Sequence, residues 1–185
     1  MHNKNLYEKT VDTKRIYEGK ILNLRVDQVL LPNGREASRE VIEHSGAVCI
    51  LPLTSDNKVY MVRQFRYPFN EEMLEVPAGK LEPGEVLSDA ANRELEEETG
   101  MKAGELIYLG EFRPSVAYLT EKIHMYLARG LWETQQHLDE DEFLNIEVHS
   151  LDSLVEMAMQ GEITDGKTVA ILLKVKRIVD AENKK

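Results

Sequence analysis

The chain has 185 residues, 33 acidic against 23 basic, a formal charge of −10, 42% hydrophobic residues and one cysteine. That size suits one medium domain, or a domain with a small appendage, and the lone Cys49 excludes a disulfide framework or a thiolate metal site. No apolar run approaches the roughly 18 residues of a membrane span, the opening MHNKNLYEKT lacks the apolar core of a secretory signal, and an acidic chain is poorly suited to nucleic acid; a cytoplasmic location is expected.

Residues 1–45 read as an antiparallel β segment. KILNLRVDQVLL alternates apolar and polar side chains, Pro32-Asn33-Gly34 makes a turn, and REASREVIEH continues extended. AVCILPL (47–53) is a short apolar run of the kind a central strand shows, and after a turn at 54–57 the segment KVYMVRQF (58–65) is a further strand. EEMLEVPAGKLEPGE begins as a short strand and passes into a loop, where Pro77, Gly79, Pro83 and Gly84 argue against regular structure. Strong helix formers run from Glu85 to Thr99, with Gly100 as the stop. ELIYLGEFRP (105–114), KIHMYLARGLW (122–132) and NIEVHS are strands, the last preceded by the acidic loop LDEDEF. Helices near 151–160 and 167–181, broken at Gly161, end the chain. The class is α+β, mostly antiparallel, with helices packed on the sheet.

The acidity is concentrated. Residues 71–100 carry ten acids and two bases, and residues 138–147 carry five acids and no base. A charge run is usually a solvated face, but the helix argues otherwise. With Leu87 at zero on a helical wheel, Ala90, Ala91 and Leu95 form an apolar stripe between about −60° and +80°. Glu94 and Glu98 fall inside it, near about −20° and +20°, and Glu97 flanks it near about −80°. Burying unpaired carboxylates is costly, so a cation must meet them. Arg93 reaches Glu97 at i, i+4, yet one guanidinium does not neutralise three carboxylates, whereas hard divalent cations do.

Written out, the segment is Gly79, five residues, Glu85, seven residues, then Arg93-Glu94-Leu95-Glu96-Glu97-Glu98-Thr99-Gly100-Met101. This resembles the Nudix box at every fixed position, a highly specific match. VRQFRYPF (62–69), EVPAGKLEPGE (75–85), DEDEF (139–143) and Pro114 resemble the ADP-ribose pyrophosphatase, or nucleoside diphosphate sugar hydrolase, branch of that superfamily. The resemblance implies a Nudix fold, an α/β/α sandwich with a mixed sheet over residues 46–185. It also implies a small N-terminal antiparallel β domain over residues 1–45, used for homodimerisation. One departure is the run Pro114-Ser115-Val116-Ala117-Tyr118-Leu119-Thr120-Glu121: Glu121 stands where the branch has a glutamate, but Val116 and Ala117 replace its Pro-Gly. That loop bears on sugar or nucleotide selectivity.

The resemblance further implies Mg²⁺-dependent hydrolysis of a nucleoside diphosphate sugar such as ADP-ribose, with Mn²⁺ as an alternative. The Ala78 carbonyl with Glu94, Glu97, Glu98 and Glu142 would hold the metal. Glu142 is the first choice for the group that orients or deprotonates water and Glu140 the second, with Glu97 and Arg93 also in the catalytic set. Arg66 and then Arg63 suit diphosphate oxygens through their forks; Glu75, Arg113 and Glu121 are substrate neighbours by resemblance only. Phe65, Tyr67, Phe112 or Tyr118 stack on a base or belong to the core. The alternatives are a hydrolase preferring another nucleotide sugar such as GDP-mannose, or a damaged nucleotide, and a Nudix module that only senses its nucleotide.

Overall fold

The computed structural model describes residues 6–138 and 142–184. The strands are β1 (Lys9–Glu18), β2 (Asn23–Leu30), β3 (Glu36–Glu43), β4 (Ala47–Pro52), β5 (Lys58–Arg66), β6 (Glu71–Glu75), β7 (Ala78–Lys80), β8 (Met101–Phe112), β9 (Ile123–Glu133) and β10 (Leu144–Ser150). The helices are α1 (Leu87–Thr99), α2 (Leu151–Gln160) and α3 (Gly166–Glu182). None is long and apolar enough to cross a membrane.

Two compact units are formed. The first comprises residues 1–45 and 113–121. Its sheet, in the order β1-β2-β3, is antiparallel throughout. The turn read at Pro32-Asn33-Gly34 is present, with Gly34 at φ 80° donating to the Leu31 carbonyl. Residues 113–121 join this unit through main-chain bonds: Ile42 N–H donates to the Tyr118 carbonyl (2.7 Å) and Thr120 N–H to the Ile42 carbonyl (2.9 Å). The unit therefore extends beyond the N-terminal 45 residues, because a segment far along the chain completes the hydrogen bonding at the end of β3.

The second unit is a three-layered sandwich. Its central sheet runs β7-β4-β9-β8, with β4 and β9 parallel and the other pairs antiparallel. All six β4 residues are buried, as an apolar run without alternation suggests, because both faces of the strand are covered. Cys49 and Leu51 face a core with Leu127, Leu154, Ile171 and Leu172, beneath α2 and α3. Val48 and Ile50 face the opposite core, where Ala90, Ala91 and Leu95 of α1 pack. A second sheet, β10-β5-β6, adds Val59, Met61 and Leu74 to the first core. The mixed-sheet α/β/α architecture is thus observed.

Two elements differ from their expected extent. Ala78–Lys80 is a strand despite its glycine and the neighbouring prolines. It closes the free edge of β4, pairing Val48 with Gly79, and Pro77 sits just before it, where its missing N–H costs nothing while its carbonyl accepts from Ile50 (2.9 Å). Strand β8 starts at Met101 rather than 105, because Gly100, left-handed at φ 65°, reverses the chain directly out of α1.

Candidate active site

The inner face of α1 carries the carboxylates that the helical wheel places there. Glu94 is 8% exposed and Glu98 3%, beside the fully buried Ala90, Ala91 and Leu95. Strand β7 lies directly against them. Ala78 N–H donates to Glu98 Oε2 (3.1 Å), and the Glu94 carboxyl covers Gly79 so closely that an added Cβ would stand 2.0 Å from it.

Arg93 does more than the sequence suggests. Its Nη1 donates to Glu94 Oε1 (2.7 Å) and Glu97 Oε2 (2.9 Å), while Nε and Nη2 grip both oxygens of Glu85 (2.9 and 3.0 Å). Nη2 also reaches the Lys80 carbonyl (3.2 Å). One guanidinium therefore engages three carboxylates and ties α1 to the loop before it, while Glu98 is bonded by the Ala78 N–H instead.

The electrostatics show a deficit of positive charge. Burial pushes the Glu94 carboxyl up to about 7, with Glu97 and Glu142 adding repulsion against the attraction of Arg93. Burial likewise lifts Glu98 to about 8; the Ala78 N–H opposes this, and Glu94 and Glu142 reinforce it. Glu142 is thus felt electrically by both inner carboxylates. Among the described residues, no three acidic or histidine side chains already surround one metal position; Arg93 spans Glu94 and Glu97 instead. The donor set nonetheless fits a hard divalent cation. It consists of carboxylate oxygens, buried and mutually repelling, over a glycine that lets a strand lie against them.

The segment before the acidic loop is anchored on the end of α1. Thr134 N–H and Oγ1 both donate to the Gly100 carbonyl (2.6 and 3.0 Å), Gln136 Nε2 donates to the Glu98 carbonyl (2.6 Å), and His137 N–H to the Glu97 carbonyl (3.2 Å). These bonds satisfy carbonyls that a helix C-terminus leaves orphaned. On the far side β10 begins at Leu144, paired with Gln64 of β5. Glu142, two residues before it, is exposed; Glu140 lies outside the described residues. Nothing in the sequence marks Thr134, Gln136 and His137 beyond their polarity after a strand.

The arginines of β5 are not equivalent. Arg63 is tied to Glu147 on neighbouring β10, which also bonds His149 (2.7 Å). Arg66 grips Glu75 with Nε and Nη2, both at 2.6 Å. Glu75, expected beside substrate, is instead 1% exposed, with its oxygens occupied by Arg66 and by Lys167. In this placement the Glu75 carboxylate is shared by two cations, one of them the expected diphosphate-binding Arg66. Sequence reasoning missed Lys167 and Asp165; the Asp165-Gly166-Lys167-Thr168 run at a helix start was the available signal. Arg113 and Glu121 belong to the first unit, where Glu121 lies 3.6 Å from His44 Nδ1. Phe65, Tyr67 and Tyr118 are exposed, whereas Phe112 packs against the core and over Gly166.

A helix with inward carboxylates, laid on a glycine-bearing edge strand of a mixed sheet between helical layers, is how a Nudix hydrolase is built, and the chain belongs to the Nudix family. The NUDIX domain description matches residues 43–170. More particularly, the nucleoside diphosphate sugar hydrolase N-terminal domain matches residues 8–42. The chain is 43% identical to the methanol dehydrogenase activator of Bacillus methanolicus, over 88% of this chain and 89% of that one. It is 39% identical to the ADP-ribose pyrophosphatase of Bacillus subtilis (strain 168), over 97% and 99%. To the ADP-ribose pyrophosphatase of Mycobacterium tuberculosis the identity is 32%, over 90% and 82%. The crystal structure of an ADP compounds hydrolase shares the fold, with a TM-score of 0.87 at 22% identity over 99% of this chain and 100% of that one.

Proposed function

We propose that this Nudix hydrolase cleaves the diphosphate bond of ADP-ribose and related nucleoside diphosphate sugars in a Mg²⁺-dependent reaction, with Mn²⁺ able to substitute. The products are a nucleoside monophosphate and a sugar phosphate. The observation that carries this reading is the burial of Glu94 and Glu98 against β7, where like charges meet and Arg93 bonds only the first. The similarity to ADP-ribose pyrophosphatases over almost the whole chain points to the substrate class.

In this reading Glu94, Glu97, Glu98 and Glu142, with the Ala78 carbonyl, hold the metal, which supplies charge neutralisation at the phosphoryl oxygens and a more acidic water. Arg93 keeps Glu94 and Glu97 in place and is itself fixed by Glu85. Arg66 binds a diphosphate oxygen, with Arg63, gripped by Glu147, as the second candidate. Glu142 takes the proton of the attacking water, and Glu140 is the second candidate. Oxygen adds to one phosphorus, the bridging P–O bond breaks, and the departing phosphate keeps the electron pair. Arg113 and Glu121 are assigned to substrate, and the Val116-Ala117 stretch to selectivity.

The N-terminal unit is assigned to homodimerisation. Every residue of the edge strand β1 is exposed, and an uncovered edge invites a second copy. The protein is read as cytoplasmic, with neither nucleic acid nor membrane as a partner.

Phosphate release from a panel of nucleotide sugars, coupled to a phosphatase with and without Mg²⁺, tests the proposal. ADP-ribose should be turned over with Mg²⁺ and not in EDTA. A preference for GDP-mannose would reassign the substrate, and no Mg²⁺-dependent turnover of any member would favour a nucleotide sensor.

A further inference from the structure

The first turn of α3 grips the strand that ends beside the carboxylate cluster. Lys167 is 9% exposed, and its ammonium donates to Glu75 Oε2 (2.5 Å) and Asp165 Oδ2 (2.9 Å). Asp165 caps the helix, accepting the Thr168 N–H (3.1 Å) and hydroxyl (2.5 Å). Thr168 Oγ1, fully buried, accepts the Val76 N–H (3.0 Å). Glu75 is thus held by its side chain and Val76 by its main chain. Two residues further on, Ala78 N–H bonds Glu98.

The cluster balances two cations, Arg66 and Lys167, against two carboxylates, Glu75 and Asp165. Burial works against the Lys167 ammonium, yet Asp165 and Glu75 together keep it above its ordinary value, so it is charged. Without it, Glu75 and Asp165 would face each other in the interior as like charges. With it, Glu75 is pinned from behind and meets Arg66 as a fixed two-pronged acceptor. The bidentate grip uses Nε and Nη2; among the described residues Nη1 has no hydrogen-bond partner, and the side chain is 37% exposed.

We propose that Lys167, seated by Asp165 and Thr168, is a positioning residue for substrate binding: by pinning Glu75 it holds the Arg66 guanidinium with Nη1 available to a diphosphate oxygen. This rests on the reading of Arg66 as the diphosphate-binding arginine. An interior ion cluster that merely stabilises the fold would not couple to substrate through Arg66.

The test is a double-mutant cycle. Lys167→Met removes the cation; Lys167→Met with Asp165→Asn removes one charge of each sign while keeping a capping oxygen, so that a folded variant is available. KM for ADP-ribose should rise about tenfold with kcat little changed, the scale of one lost charge-assisted hydrogen bond. In an Arg66→Ala background the same change should raise KM no further. Unaltered KM in a folded variant, or KM effects that multiply with that of Arg66→Ala, would overturn the proposal. A readout independent of turnover is the ¹⁵N–¹H signal of the Arg66 Nε–H, assigned by its loss in Arg66→Ala. It should be protected from exchange in the wild type and exposed in the Lys167 variants, and equal protection in both refutes the assignment. Should the wild type leave ADP-ribose intact, the substrate proposal fails, while the Arg66 signal still decides the positioning role.

Discussion

The Glu94 carboxyl rests on Gly79, with room for a hydrogen but not for a methyl group: an added Cβ would lie 2.0 Å away. Gly79 is not among the glycines with positive φ, so alanine there strains no backbone. What must move is the end of a flexible side chain. Gly79→Ala should therefore fold with a Tm near that of the wild type while kcat on ADP-ribose falls by about a hundredfold, the penalty for displacing a proposed metal-holding carboxylate by roughly 1 Å. Thermal melting and steady-state kinetics on the same preparation check both halves.

Removing a buried charge should separate stability from activity. Glu98 is nearly inaccessible and repelled by Glu94 and Glu142. Glu98→Gln keeps the shape and an acceptor for the Ala78 N–H. It should abolish turnover while raising the Tm of the metal-free protein above that of the wild type at pH 8.5. A lower Tm would show that the charge is already compensated.

The same burial sets a pH dependence. Glu94 and Glu98 titrate near about 7 and about 8 when folded and near 4.5 ordinarily, so across that interval the folded state holds protons that the unfolded state has released. Stability of the metal-free protein should then fall as pH rises from about 4.5 through about 8. If, as proposed, Mg²⁺ is held by the ionised carboxylates, its stabilisation should be greater at pH 8.5 than at pH 5.5. Melting curves in EDTA and in Mg²⁺ at the two pH values give the comparison.

Arg93 predicts the opposite sign. Its hydrogen bonds to Glu85 hold it above its ordinary value, and Glu94 and Glu97 add to this. Arg93→Met leaves Glu85, Glu94 and Glu97 without their shared cation and should lower stability by about 2 kcal/mol in urea titrations. Lysine at the same position should recover only part of this, since a point charge cannot reproduce the fork.

Glu142→Gln should reduce kcat strongly and leave KM for ADP-ribose close to the wild type, as expected of a group that acts on water rather than on substrate. An unaffected kcat, with the loss found instead in Glu140→Gln, would move the role to Glu140.

Helical periodicity made the inner carboxylates legible. Glu94 and Glu98 share an azimuth with Ala91 and Leu95, and that relation holds wherever α1 packs. The unbroken apolar run of β4 likewise announced a strand covered on both faces. Strand β7 did not announce itself: it is three residues long and exists because β4 needs a partner on that edge. Burial of Glu75 was equally invisible, since its partner Lys167 lies 92 residues away.

By itself, the sequence determined which residue types line one face of α1, where most of the strands and helices run, and that the inward carboxylates need an opposing positive charge. Those follow from spacing along a chain of known period. Only the tertiary structure decided that Arg93 reaches three carboxylates, that residues 113–121 complete the first unit, and that α3 braces Arg66 through Glu75. The last two depend on where distant segments meet, which leaves no periodic trace in the chain; for Arg93 the helical period shows Glu97 within reach, but the fold of the loop before α1 decides that Glu85 joins it.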